Sequence, residues 1–127
     1  MEVVDLFVQK DRRGRFVELL TKPKRYNDGL WDLLHDPRYF EPENIIKIPS
    51  MERTPEQIYD RLKKLGFQNQ CFVISTDWEI DGKLLPTMKA LKLSGDQDTL
   101  LFCTVSKIGY YEGHEGWCYI LRSSKSK

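Results

Sequence analysis

The chain has 127 residues, a formal net charge of +1 at neutral pH, 40% hydrophobic residues and 31% charged ones. That length fits one compact domain burying roughly two-thirds of the surface its unfolded form exposes, and the composition excludes a disordered chain. So small a net charge excludes a global field that draws the protein to DNA or anionic lipid.

The first apolar residues, Val3, Val4, Phe7 and Val8, repeat at helical spacing and predict a helix over residues 2–12, with a β-hairpin turning at Arg13-Gly14 as the rival. Phe16, Leu19 and Leu20 share one face of a helix over 15–20, which must stop ahead of Pro23. Asn27 or Asp28 is placed to cap a second short helix with Leu30, Trp31 and Leu34 on its inner face, ending before Asp36-Pro37. Residues 38–50 contain Pro42 and Pro49 and read as an ordered connection whose Ile45, Ile46 and Ile48 pack on the core. Thr54-Pro55-Glu56-Gln57 is a capping box with proline at the first helical position. Ile58, Leu62 and Leu65 continue that helix, Gly66 supplies a left-handed stop, and Phe67 can fold back onto Leu62.

Cys71-Phe72-Val73-Ile74-Ser75 reads as a strand buried on both faces. Pro86 can start a helix carrying Met88, Leu91 and Leu93 inward, ended near Gly95. Residues 100–105 form a second buried strand, which a right-handed crossover would place parallel to the first. Asp81-Gly82 could instead turn a tight hairpin. Residues 108–112 and 117–121 then make an antiparallel pair closed by Gly113-His114-Glu115-Gly116. The expected architecture is α+β, with α/β as the alternative, in a single domain over 1–122. A helical part (1–48) precedes an α/β part (49–122) with a mixed sheet of three to four strands, a crossover helix and a C-terminal hairpin. Residues 123–127 are expected to be a disordered tail. No apolar run approaches the ~20 residues of a membrane span, and Met1-Glu2-Val3-Val4-Asp5 lacks a signal peptide's basic start. No membrane partner is expected.

Arg12-Arg13-Gly14-Arg15-Phe16, Asp36-Pro37-Arg38, Cys71-Phe72-Val73-Ile74-Ser75, Asp81-Gly82-Lys83 and Tyr110-Tyr111-Glu112-Gly113 before Tyr119-Ile120-Leu121 occur in that order. In this the chain resembles a group of small uncharacterised bacterial proteins. The resemblance spans most of the chain, implies a bacterial, cytosolic origin and carries no activity with it. Cys71, Cys103 and Cys118 each sit among apolar residues without a Cys-x-x-Cys clip, which fits reduced core thiols in a cytoplasmic protein better than a zinc site.

Two charged stretches of opposite sign are candidates for function. Residues 10–25 hold seven bases against two acids, a local charge of +5, with Arg12, Arg13, Arg15, Lys22, Lys24 and Arg25 as binding residues. Each such cation can neutralise one phosphate or meet an acidic protein. Asp28 and Asp32 on the next helix, with Asp36 at its end, would repel phosphate and argue against a groove-reading helix. Residues 76–115 instead hold seven acids against four bases. If that rim is extended, Asp77, Glu79 and Asp81 alternate onto one side and could hold Mg²⁺, with Glu112 as a further ligand, Lys83 assisting and His114 as base. The bland reading is a solvated loop whose acids cap a turn. Tyr110, Tyr111, Trp117 and Tyr119 offer rings for stacking, but such pairs also stabilise hairpins. No phosphate-binding glycine loop, serine-hydrolase elbow or zinc-finger spacing occurs. The reading is a small non-catalytic binding or regulatory protein that uses its basic helical region on a protein partner or nucleic acid and needs no cofactor. The alternative is a Mg²⁺-dependent phosphodiesterase or nuclease built on the acidic rim.

Overall fold

The apolar runs of the second half alternate their side chains to two sides, and each side is buried by its own layer of helices. The computed structural model describes residues 2–35, 37–49, 51, 53–94, 97–113 and 116–122. Among these, five α-helices surround one antiparallel sheet. The helices are α1 (Glu2–Phe7), α2 (Arg13–Thr21), α3 (Tyr26–Leu34), α4 (Pro55–Lys64) and α5 (Thr87–Leu93). The strands are β1 (Ile45–Lys47), β2 (Gln70–Ser75), β3 (Leu84–Pro86), β4 (Thr99–Cys103), β5 (Ile108–Glu112) and β6 (Cys118–Arg122), in the order β1-β6-β5-β4-β2-β3.

Strand alternation divides the core in two. Ile74, Leu100, Phe102, Tyr111, Tyr119 and Leu121 face α1–α3, where they meet Val4, Phe7, Phe16, Leu30, Leu33 and Leu34. Cys71, Val73, Leu101, Cys103, Ile108, Tyr110, Cys118 and Ile120 face the other way, onto Ile58 and Leu62 of α4 and Ala90 and Leu91 of α5. β4 is buried along its whole length because it sits inside the sheet with helices on both faces.

The expected helix at the start ends early. α1 stops at Phe7, Val8 bridges to Phe40, and a single 3₁₀ turn (Lys10–Arg12) leads into α2, so the rival hairpin does not form. α4 follows its sequence signals closely. Thr54 accepts from the Gln57 amide and the Gln57 side chain returns to the Thr54 amide. At the other end Phe67 N–H donates to Leu62 O (3.0 Å) and Gly66 N–H to Lys63 O (3.0 Å), with Gly66 at φ 98.

Three expectations are corrected. The sheet has six strands rather than three to four, because β1 and β3 are three-residue edge strands too short to show alternation. It is antiparallel rather than mixed: β2 and β4 pair through Phe72↔Phe102, Val73↔Leu101, Ile74↔Leu100 and Ser75↔Thr99. A strand-helix-strand crossover exists, but it joins β3 to β4. Both are antiparallel to β2, which lies between them, so α5 passes over β2. Third, α5 buries Thr87, Ala90 and Leu91, while Leu93 is exposed. The N-terminal part is also not purely helical, since β1 adds to the sheet beside β6. The tail 123–127, His114 and Glu115 lie outside the described residues.

Candidate binding surface

The basic residues of the first half divide by what holds them. Arg13 is a clasp: its Nε donates to Val8 O (2.8 Å) and its guanidinium meets Glu41 (2.6 Å), tying the start of α2 to the connection after α3. Arg12 and Arg38 instead lie against the ring of Tyr39, with guanidinium carbons 5.8 and 4.9 Å from its centroid. Tyr39 packs edge-on against Phe16 at 5.0 Å, which anchors this cation–aromatic cluster to the core. Arg15 sits 5.9 Å from the Phe16 centroid and pairs with Asp32 at 3.2 Å. Lys22 pairs with Glu18 one turn back (2.8 Å), and that neighbour holds the Glu18 carboxyl below its ordinary value. Lys24 and Arg25 are exposed in the turn between α2 and α3.

That turn opens a cleft of about 310 Å³ lined by Arg15, Leu19, Arg25, Asp28, Trp31 and Asp32. Its wall includes Trp31, which the sequence places on the inner face of the helix. In fact Leu30, Leu33 and Leu34 form the buried stripe, and Trp31 is 55% exposed. Its indole stacks on His35, with centroids 4.2 Å apart and planes 17° from parallel. The cap expected at Asn27 or Asp28 is also displaced: α3 begins at Tyr26 after Arg25, with no side-chain capping bond. Sequence reasoning missed Trp31, Arg38 and Tyr39. The signal for Trp31 was present, because Leu30, Leu33 and Leu34 at i, i+3 and i+4 already define a stripe that excludes it.

The acidic rim is built differently from an extended ladder of carboxylates. Residues 77–82 form consecutive turns between β2 and β3. Asp77 caps the first turn, with one carboxylate oxygen accepting from Glu79 N–H (3.0 Å) while its own N–H donates to Ser75 Oγ (3.0 Å). Asp81 points back into the fold: Oδ1 accepts from Ser75 N–H (2.9 Å) and Oδ2 from the Tyr26 hydroxyl (2.7 Å). This bond joins the start of α3 to the rim. Burial, together with the hydrogen bond and charge of Asp81, pushes the Tyr26 phenol well above its ordinary value. Glu79 and Lys83 are exposed.

Pairing places Ser75, Thr99, Glu112 and Cys118 in one row across the sheet, so the rim and the terminal hairpin share an end of the sheet with β4 between them. Glu112 is turned to Ser94 Oγ (3.0 Å) and the Tyr110 hydroxyl (3.4 Å). Among the described residues no group of three or more His, Cys, Asp or Glu side chains is placed to hold a metal ion.

The aromatic hairpin is core. Tyr110 and Tyr111 are fully buried, Tyr111 faces Tyr119 across the strands at 6.2 Å, and its hydroxyl donates to Leu34 O (2.6 Å). The three cysteines are free and buried, one each on β2, β4 and β6. No described helix is long and apolar enough to cross a membrane. Compared with family models, curated proteins and solved structures, the chain matches none.

Proposed function

We propose that this is a small non-catalytic binding protein whose α2–α3 face takes an acidic segment of a protein partner. The observation that carries this reading is the seating of the exposed Arg12 and Arg38 against the partly buried ring of Tyr39. Beside them lie Arg15 and the half-exposed Trp31 ring. Arginine, tryptophan and tyrosine dominate the residues that carry binding energy at protein interfaces, because each brings a large rigid group with a directional polar end. A guanidinium already lying on a ring loses little freedom when a carboxylate meets it. Lys22, Lys24 and Arg25 extend the positive field at the edge and raise the rate of encounter more than the affinity. Asp28 and Asp32, interleaved among the cations, favour a partner with separate carboxylates over the continuous phosphate line of a nucleic acid.

The test is a fluorescence-anisotropy titration of a labelled Glu- and Asp-rich peptide, with a single-stranded oligonucleotide as the second arm. Saturable peptide binding that weakens with salt and falls about tenfold or more in the Arg12→Ala/Arg38→Ala variant is the expected result, tenfold being ~1.4 kcal/mol. Binding of the oligonucleotide alone would transfer the surface to nucleic acid. Binding of neither probe at low salt would remove the reading.

A further inference from the structure

Two of the three cysteines share a feature that neither core packing nor the binding surface uses. Continuing the β2–β4 register by one step beyond Phe72↔Phe102 sets Cys71 opposite Cys103. The hydrogen bonds fix the kind of pair this is. Val73 bonds to Lys83 and Gly82 on the β3 side, whereas Thr76 N–H donates to Asp98 O on the β4 side. Odd-numbered residues of β2 therefore turn their amides away from β4, and Cys71 and Cys103 form a non-hydrogen-bonded pair. In such pairs the Cα atoms are ~4.5 Å apart and the side chains are at their closest. A disulfide requires a Cα separation of ~4.4–6.8 Å, and the spacing of such a pair meets that backbone requirement.

Both cysteines, 1% and 2% exposed, are among the residues that border a cleft of about 530 Å³ at the end of the sheet, with Gln68, Asn69, Thr104 and Val105. After Cys103 the chain doubles back: Lys107 N–H donates to Cys103 O (2.9 Å), with Lys107 in the left-handed region at φ 60. The Ser106 hydroxyl in this turn is buried without a hydrogen-bond partner among the described residues, which leaves a donor available to a sulfur anion.

We propose that Cys71 and Cys103 are a redox-active dithiol that a hydroperoxide closes into a cross-strand disulfide, Cys103 attacking and Cys71 resolving. The Cys103 thiolate attacks the terminal peroxide oxygen. A sulfur–oxygen bond forms, the oxygen–oxygen bond breaks, and the departing alkoxide leaves as an alcohol with the proton that Cys103 gave up. The Cys71 thiolate then attacks the Cys103 sulfenic acid. The sulfur–sulfur bond forms and hydroxide leaves as water with the Cys71 proton. In sum two thiols and one hydroperoxide give one disulfide, one alcohol and one water; the sulfurs lose two electrons and the peroxide gains them.

The order of attack follows from the surroundings. Burial pushes the Cys103 thiol up, but the neighbouring Ser106 hydroxyl and the backbone amides of Ser106, Gln68 and Val105 favour the thiolate more and bring it below the ordinary thiol value. Burial pushes Cys71 up to about 11; the neighbouring Thr87, whose hydroxyl donates to Gln68 O (2.7 Å), offsets this only in part, and the neighbouring Cys103 reinforces it. Cys118 is an internal control: it lies in the row with Glu112 and Thr99, at the other end of β4 from Cys103 and with β5 between them.

The test uses the full reduced chain, treated with one molar equivalent of hydrogen peroxide, then denatured, alkylated and weighed intact. The expected result is the loss of two hydrogens, one alkylated thiol instead of three, a crosslinked peptide pair holding Cys71 and Cys103, and full reversal by dithiothreitol. In Cys71→Ser, dimedone should label Cys103 once; in Cys103→Ser, neither disulfide nor label should appear. The wild-type result needs no variant to fold. Three alkylated thiols after treatment, a disulfide that includes Cys118, or dimedone on Cys71 instead of Cys103 would overturn the proposal.

Discussion

α3 and α4 are nearly equal in length, nine and ten residues, yet opposite means hold them in place. α4 carries its own start and stop: Thr54 and Gln57 cap each other, Pro55 opens the first turn and Gly66 closes the last. α3 has no side-chain cap. Its position comes from elsewhere in the chain: Leu30, Leu33 and Leu34 reach the sheet, Tyr26 bonds to Asp81 fifty-five residues on, and Gly29 lies against α2. A Cβ at Gly29 would stand 2.7 Å from Leu19 Cβ, so the two helices touch there backbone to side chain. A helix defined by local signals is scaffold, whereas one defined by distant contacts can present an unusual face, here the exposed Trp31.

The comparison breaks most easily at the core beneath that surface. Phe16 is fully buried and supports Tyr39, so Phe16→Ala should cost ~3–5 kcal/mol in denaturant unfolding and also abolish peptide binding. Gly29→Ala should cost ~1–3 kcal/mol by forcing α2 and α3 apart, although alanine is the better helix former; a stabilised variant would show the close approach to be unimportant. Tyr26→Phe removes a hydrogen bond to the Asp81 carboxylate and should cost ~1.5–3 kcal/mol at neutral pH, the range for bonds to charged groups. Thr54→Ala should cost only ~1 kcal/mol, with an unchanged m-value and no effect on binding, because it removes a cap and nothing tertiary.

Tyr26→Phe has a clearer signature in alkali. The folded-state phenol is raised, so its contribution is complete below the unfolded value near ~10 and is lost as pH climbs above it, when the unfolded chain releases the proton first. Wild-type stability should therefore fall above that pH, and the variant should fall less steeply. Equal slopes would mean that the folded state does not raise the Tyr26 phenol.

The same division explains what was legible in the sequence. The ends of α4 could be read within two or three residues because the chemistry that sets them is local. The apolar run of β2 and the pair β5–β6 were legible for the same reason. β3 was not, since Leu84–Pro86 is a strand only by virtue of lying beside β2, and without it the crossover through α5 pointed to a parallel pair. The basic run was visible as charge, but not the fact that Arg13 is spent on Val8 and Glu41 while Arg12 shares Tyr39 with Arg38. Asp81 looked like a ligand because its partner, Tyr26, lies far away in the chain.

The central claim is that binding belongs to the α2–α3 face and not to the end of α4, where Arg61, Lys63 and Lys64 form a second basic cluster. Amide chemical-shift mapping during titration with a Glu- and Asp-rich peptide tests it most directly. Shifts concentrated in residues 10–39, with the Trp31 indole N–H among the largest, are the predicted result. Shifts centred on Arg61 to Gly66, or spread evenly over the surface, would contradict it.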